Sequence, residues 1–252
     1  MKLSIIIPVF NEEGSLKELY LQINQSVKKY NDYEIVFIDD GSSDKSKKII
    51  QKIIDKDPKV KLISFFRNFG KSAALSEGFR YASGDVIITM DADLQDDPNE
   101  IPALINKLNE GYDLVSGWKK KRFDPWTKTF PSKIFNFVTR FLTGVKIHDF
   151  NCGLKAYRSS VVKSIEVFGG RHRYIPALAG QKNFSVTEIE VNHRPRVHGR
   201  TKYGGARLFH GFFDLLTILF LNKYTQQPLH FFGAIGLITF SFGFFIQIIV
   251  LY

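Results

Sequence analysis

Asp91 and Asp93 stand two residues apart at the end of an apolar, β-branched run, in the order Asp91-Ala92-Asp93-Leu94-Gln95-Asp96-Asp97. On an extended backbone, positions i and i+2 share a side, so the two carboxylates are brought together. Two close carboxylates repel unless a proton or a cation joins them. A hard divalent ion such as Mg²⁺ or Mn²⁺, taken by oxygen ligands and by substrate phosphates, resolves that conflict and makes a diphosphate receptor. The bland alternative is a solvated acidic loop. Two further acidic stretches also follow strand-like runs: Pro8-Val9-Phe10-Asn11-Glu12-Glu13, and Asp39-Asp40-Gly41-Ser42-Ser43-Asp44. Each alone is ordinary turn chemistry, with Ser43 or Asp44 capping a helix. Together they put three acidic strand ends on one edge, and open α/β sheets bind ligands beyond the carboxyl ends of their strands.

Two other phosphate-binding schemes are excluded by their missing glycines. No Gly-x-Gly-x-x-Gly follows the first strand, and the glycine that a Walker A loop ending in Gly70-Lys71-Ser72 requires at position 65 is Phe65. Lys71 is therefore placed at a helix start.

The elements that must hold these residues alternate between strand and helix patterns, as in a parallel sheet with crossover helices. Strands are expected at Leu3 to Val9, Glu34 to Asp39, Lys61 to Phe65, Asp85 to Met90 and Asp113 to Gly117. Leu16, Leu19, Tyr20, Ile23 and Val27 keep helical spacing, as do Ile101, Leu104, Ile105 and Leu108. The first 120 or so residues thus read as a doubly wound sheet. A further helix over Pro131 to Leu142 carries Ile134, Phe137, Val138, Phe141 and Leu142 on one face, a stripe that belongs either in a core or on a lipid surface.

Near the C-terminus, Phe231 to Tyr252 contains no charged residue and at about 1.5 Å per residue spans roughly 33 Å, the thickness of a bilayer's hydrocarbon. It is expected to cross a membrane. Ala206 to Tyr224 mixes Phe212, Phe213, Leu216, Leu219 and Phe220 with Arg207, His210, Asp214 and Lys223, which suits an interfacial helix. The division expected is a catalytic domain at 1–205, a juxtamembrane amphipathic helix at 206–228 and a transmembrane helix at 229–252. The net charge of +10 is compatible with nucleic acid, an anionic membrane or a phosphorylated substrate. Its clusters decide: Lys119, Lys120, Lys121 and Arg122, then Arg194, Arg196, Arg200, Lys202 and Arg207 just before the apolar tail, favour membrane and phosphate. Nucleic-acid binding would need a basic stripe away from that tail. A single cysteine, Cys152, excludes an internal disulfide, and the N-terminus lacks the pattern of a signal peptide. The excess of Lys and Arg before the span places the catalytic domain in the cytoplasm.

These motifs, in this order, resemble the family 2 glycosyltransferases, whose fold is termed GT-A. Within them they resemble the membrane-anchored polyprenyl-phosphate sugar transferases of the dolichol-phosphate mannose synthase type. The match runs from Ile7-Pro8-Val9-Phe10-Asn11-Glu12-Glu13 through Asp39-Asp40-Gly41-Ser42-Ser43-Asp44 and Asp91-Ala92-Asp93-Leu94-Gln95. It continues through His148-Asp149-Phe150-Asn151-Cys152-Gly153-Leu154-Lys155 to Arg200-Thr201-Lys202-Tyr203. The resemblance implies a GT-A-like, mostly parallel doubly wound sheet followed by an interfacial and a transmembrane helix. It implies that Pro8, Phe10, Glu12, Ile38, Asp39, Asp40, Asp91 and Ala92 contact the nucleotide sugar, and that Asp91, Asp93 and Gln95 hold the metal. Arg122, Arg200 and Lys202 would meet an acceptor phosphate, with Asp149, Asp93, Arg200 and Lys202 forming the catalytic set. It further implies inverting transfer of a hexose from a UDP- or GDP-linked donor to undecaprenyl or dolichyl phosphate. A second span returning to the cytoplasm is also implied, so that the chain as it stands is expected either to be a shortened one or to rely on a partner helix for packing.

A phosphate monoester with a second pKa of about 6 is largely dianionic at neutral pH, so Asp149 is expected to position a cation or the acceptor. An alcohol acceptor would instead need it as a general base. Two alternatives remain at this stage: a family 2 transferase acting on a glycan or other acceptor, and a non-catalytic membrane-bound nucleotide-sugar-binding module. Assembly into a homo-oligomer is left open.

Overall fold

A computed structural model describes residues 1–120, 126–195, 213–218, 220 and 227–251. The chain forms two compact units, Met1–Phe212 and Phe213–Tyr252. The first is built on β1 (Leu3–Val9), β2 (Tyr33–Asp39), β3 (Val60–Ser64), β4 (Val86–Thr89), β5 (Leu114–Trp118), β6 (Lys155–Arg158) and β7 (Val186–Glu190), joined in the order β3-β2-β1-β4-β6-β5-β7. Strands β1 to β4 pair in parallel, with Ile5 opposite Ile35 and Ile88. β6 lies antiparallel between β4 and β5, and β7 runs parallel to β5 at the edge. This is a GT-A-like mixed sheet.

Strands β1 and β2 are apolar along almost their whole length because both faces are covered. Alternate side chains enter two separate cores. Ile5, Ile7, Ile35 and Phe37 pack against Leu16, Leu19 and Ile23 of α1 (Leu16–Val27), Ile50 of α2 (Ser46–Ile54) and Leu104 and Leu108 of α4 (Ile101–Asn109). Ile6, Val36 and Ile38 pack against Ala74, Leu75 and Phe79 of α3 (Lys71–Tyr81), with α6 (Ser159–Ser164) and α7 (Ile175–Gln181) completing that layer. Ile38 has no exposed surface; its expected contact with a nucleoside is corrected, because strand alternation points its side chain beneath α3.

The five expected strands are present within a residue or two of their bounds. β6 and β7 were not expected: four residues beginning with Lys155 and ending in Arg158, and the acid-rich run Val-Thr-Glu-Ile-Glu, carry no apolar signature. The helix expected over Pro131 to Leu142 is α5 (Trp126–Thr143), with Pro131 inside it. Its apolar stripe is not core. Ile134, Phe137, Phe141 and Leu142 are exposed, whereas Asn136 and Thr139 are buried, with Asn136 Oδ1 accepting from the Phe150 amide at 3.3 Å and Phe135 packing on Tyr174.

In the second unit, residues 213–218 are helical and Phe220 meets Phe231 and Phe232 edge-on. The helix Pro228–Leu251 is long and apolar enough to cross a membrane. Most of the expected interfacial segment, and the boundary between residues 205 and 206, lie outside the described residues.

At the sheet end opposite the acidic turns, Glu34 is buried and accepts from Ser4 Oγ (2.6 Å), Ser83 N (2.9 Å), Ser83 Oγ (2.7 Å) and Lys61 Nζ (2.7 Å). Burial alone would raise its pKa, but these partners outweigh it and hold the carboxyl at about 2. A depressed folded pKa contributes stability above the unfolded value, and that contribution is lost as pH falls from about 4.5 through about 2. Glu34→Gln should therefore cost about 3 kcal/mol at pH 7, measured by urea unfolding. Its deficit against wild type should shrink as pH falls across that window.

Candidate active site

The carboxyl ends of β1 and β2 are sewn together before any ligand is considered. Asn11 N donates to Ser42 Oγ (3.0 Å), Ser43 N to Asn11 Oδ1 (2.8 Å), Glu12 N to Ser46 Oγ (3.0 Å) and Lys45 N to Glu13 Oε2 (2.8 Å). Asn11 adopts φ 53°, a left-handed backbone that asparagine tolerates better than most residues. Asp39 accepts from Ser42 N and Ser64 Oγ, and Asp40 accepts from Phe69 N (2.7 Å) and Gly70 N (2.9 Å). Both carboxylates are buried. Desolvation raises the pKa of Asp40, opposed by those two amides and reinforced by neighbouring Asp39. Asp44 accepts from Ser46 N at 2.9 Å, an Asx-type turn leading into α2, whose N-cap position is Lys45 with no side-chain cap.

One hydroxyl joins this platform to the third acidic turn. Ser15 Oγ, fully buried, donates to Ala92 O at 2.6 Å and has Glu12 O as an alternative acceptor at 3.0 Å. β4 ends at Thr89, so Asp91 and Asp93 lie on a turn and not on the extended backbone expected for them. The turn is strained: Leu94, a branched residue, sits at φ 63°, a conformation that persists where surrounding structure enforces it and that clusters at functional sites. Asp93 Oδ1 accepts from Gln95 N at 3.2 Å, Asp91 N donates to Asp96 Oδ2 at 3.2 Å, and the Gln95 amide lies 3.4 Å from His193 Nε2.

Three lysines surround this acidic turn. Lys71 pairs with Asp91 Oδ1. Lys119 pairs with buried Asp96 at 2.7 Å, and Lys155, only 3% exposed, donates to the Cys152 carbonyl. Burial pushes the Asp91 pKa up, but Lys71, Lys119 and Lys155 together outweigh it and hold the carboxyl well below the usual range. Burial lowers the Lys119 pKa and Asp96 more than reverses this, whereas for Lys155 burial wins and the pKa falls. The expected basic clusters are thus partly spent in ion pairs: Lys120 meets Glu190 at 2.5 Å, and Arg194 meets Asp97 at 2.6 Å and Gln22 at 2.7 Å.

The segment between α5 and β6 closes the site. Asp149 is buried, and its Oδ1 accepts from Asn151 N at 3.1 Å, an Asx-type turn. Glu188 of β7 accepts from His148 N (2.6 Å) and Asp149 N (3.4 Å) and pairs with the His148 ring, which stacks on Trp118 at 4.3 Å. Gly153 lies directly under Asp91: a Cβ there would stand 2.7 Å from Asp91 Cγ and 2.8 Å from each carboxylate oxygen.

Asp91, Ala92, Asp93, Gln95 and the β1 and β2 turns therefore gather at one sheet edge. A cleft beside Asp91 is lined by Pro8, Lys71, Asn151, Gly153 and Lys155. Arg122, Arg200 and Lys202 lie outside the described residues. Sequence reasoning missed Lys71, Lys119, Lys155 and Glu188 as parts of the site; the start of α3, the residue after β5, β6 and β7 bring them there from distant positions, and no local pattern marks them. Among the described residues no three acidic, histidine or cysteine side chains converge on one point. A donor set of two carboxylates and an amide oxygen fits a hard divalent ion whose remaining ligands are phosphate oxygens and water, and the charge of Asp91 already draws a cation.

Residues 4–166 match the family description "Glycosyl transferase family 2". The chain belongs to this family. Among similar family 2 proteins, the dodecaprenyl-phosphate galacturonate synthase of Rhizobium johnstonii is 38% identical over 100% of this chain and 75% of its own. An undecaprenyl-phosphate 4-deoxy-4-formamido-L-arabinose transferase of Shewanella sediminis is 42% identical over 95% of this chain and 72% of its own. Glucosyl-3-phosphoglycerate synthase from Mycobacterium tuberculosis, solved with phosphoglyceric acid, shares the fold at TM-score 0.66 and 18% identity, over 86% of this chain and 79% of that one. The same enzyme solved with Mn²⁺, UDP and phosphoglyceric acid matches at TM-score 0.66 and 17% identity, over 86% and 78%. This family 2 chain is thus a GT-A-like glycosyltransferase similar to polyprenyl-phosphate sugar transferases.

Gly153→Ala should displace the Asp91 carboxylate with little disturbance elsewhere. We expect at least a tenfold loss of glycosyl transfer with a melting temperature within a few degrees of wild type. Wild-type turnover in this variant would show that Asp91 does not need its present position.

Proposed function

We propose that this enzyme transfers a hexose from a UDP- or GDP-linked donor to a polyprenyl phosphate at the cytoplasmic face of a membrane, with inversion at the anomeric carbon. The observation that carries this is the strained turn holding Asp91 and Asp93, set at the sheet edge beside the joined ends of β1 and β2. The similar dodecaprenyl-phosphate galacturonate synthase and undecaprenyl-phosphate 4-deoxy-4-formamido-L-arabinose transferase support the acceptor class. The neighbour solved with Mn²⁺ and UDP supports a divalent cation and a nucleoside diphosphate.

Asp91, Asp93 and the Gln95 amide oxygen would hold Mg²⁺ or Mn²⁺, which stabilises the negative charge gathering on the leaving diphosphate. Pro8, Phe10 and Glu12 would flank the nucleoside. Asp39 and Asp40 would also contact it with the acceptor sites left beyond their bonds to Ser42, Ser64, Phe69 and Gly70, bonds that shape the turns around it. Asp149 positions: buried and folded onto Asn151, it fixes the turn beneath the acceptor's approach. A dianionic acceptor phosphate needs no proton removed. Arg122, Arg200 and Lys202 would offset repulsion between acceptor phosphate and donor diphosphate. The helix Pro228–Leu251 would anchor the enzyme, and the outward stripe of α5 offers a further apolar surface to lipid. We read 1–205 as the catalytic domain, 206–228 as the juxtamembrane helix and 229–252 as the span.

Membranes carrying the chain should convert polyprenyl phosphate to a lipid heavier by one sugar when offered a panel of UDP- and GDP-sugars, as read by mass spectrometry of the lipid. EDTA or Asp93→Asn should abolish that product. A sugar-bearing lipid formed undiminished in excess EDTA would exclude the metal role, and turnover only with a glycan acceptor would exclude the lipid phosphate. Arg200→Ala and Lys202→Ala should each raise the KM for lipid phosphate about tenfold or more, the loss of a charge-assisted contact, with donor affinity kept. A collapse of donor affinity at constant acceptor KM would move this loop to the donor site.

A further inference from the structure

We propose that Lys71 is an exchangeable counter-ion: it neutralises Asp91 while the site awaits a divalent cation and turns onto the donor diphosphate once that cation is in place. This rests on the assignment of Asp91 and Asp93 as metal ligands. Lys71 reaches Asp91 from another element, as the first residue of α3, and its ammonium touches the carboxylate oxygen Oδ1. A dication and an ammonium cannot both sit against one carboxylate oxygen without strong mutual repulsion, so loading the site requires the lysine to leave.

The three lysines around the turn are not equivalent in this respect. Lys119 is committed to buried Asp96 at 2.7 Å, and Lys155 is only 3% exposed and bonded to the Cys152 carbonyl. Lys71 keeps 23% of its side-chain surface and lines the cleft beside Asp91 with Pro8, Asn151 and Gly153. Its main chain is fixed while its side chain is long. Asp40 grips the amides of Phe69 and Gly70 at 2.7 and 2.9 Å, and Gly70 takes φ 91° to turn the chain into α3. A compact ammonium on a four-carbon stem can then move several ångströms about a fixed Cα, which a planar guanidinium forked onto the carboxylate does less readily. The diphosphate delivered to the same cation supplies its next partner.

The full chain in detergent provides the test, with Mn²⁺ binding read by the electron paramagnetic resonance of the free ion. Without nucleotide, Lys71→Met should bind Mn²⁺ about tenfold more tightly than wild type, because a competing cation has gone. With saturating Mn²⁺, the same variant should bind UDP or GDP, whichever wild type prefers, about tenfold more weakly. Lys71→Gln should behave alike and serves if Lys71→Met melts early. These opposite shifts are not produced by a lysine that merely supports the fold. Mn²⁺ affinity unchanged or weakened in both variants overturns the proposal, as does tighter Mn²⁺ binding with unchanged nucleotide affinity. Wild type that binds no Mn²⁺ even with UDP or GDP present would overturn the metal assignment itself, a result distinguishable from failure of the lysine exchange alone.

Discussion

The negative charge of Asp91 is the constraint around which the rest of this enzyme is arranged. A carboxylate set among protein atoms and next to Asp93 and Asp96 can remain ionised only with cations against it. Lys71, Lys119 and Lys155 converge there from α3, β5 and β6 to meet that need. The requirement also fixes small residues: Gly153 leaves room for the carboxylate where any side chain would strike it, and Leu94 accepts a left-handed backbone to let the turn close. A site held in this way presents a fixed negative charge to a cation, with little reorganisation needed when one binds.

The same contacts tie the site's parts into one unit. Asp40 holds the loop that delivers Lys71, Lys71 holds Asp91, and Ser15 holds Ala92 to the β1 end. Arg194, just before the segment that bears Arg200 and Lys202, donates its amide to Gln95 O at 3.0 Å and pairs with Asp97. The turn that would carry the metal is therefore bonded to the start of α1, beside the β1 end, through Ser15 and to the root of the basic segment through Arg194.

Much of the parallel half of the sheet was legible because its strands are buried on both faces and read as unbroken apolar runs; Leu3–Val9 is the clearest case. The antiparallel insertion of β6 was not, since Lys155 looks like a surface residue until the Cys152 carbonyl and the acidic turn come to it. The α5 stripe was legible as amphipathic, but its direction was not: periodicity marks an apolar face without saying whether protein or lipid covers it. In the site, the acidic turn announced itself by type and spacing. Glu188 and the three lysines did not, because single charged residues in sequence resemble solvated surface and acquire partners only through topology. Ile38 was misplaced for a related reason, as a motif does not reveal which of its alternating side chains enters the core.

The most direct measurement is the position of the cation itself. Anomalous diffraction from crystals of the chain grown with Mn²⁺ and its preferred nucleoside diphosphate should place one strong peak within bonding distance of an Asp93 oxygen and a β-phosphate oxygen, next to Asp91, with the Lys71 ammonium withdrawn from that carboxylate. A nucleotide bound with no peak at this turn, or a peak elsewhere with Lys71 still paired to Asp91, would contradict the account.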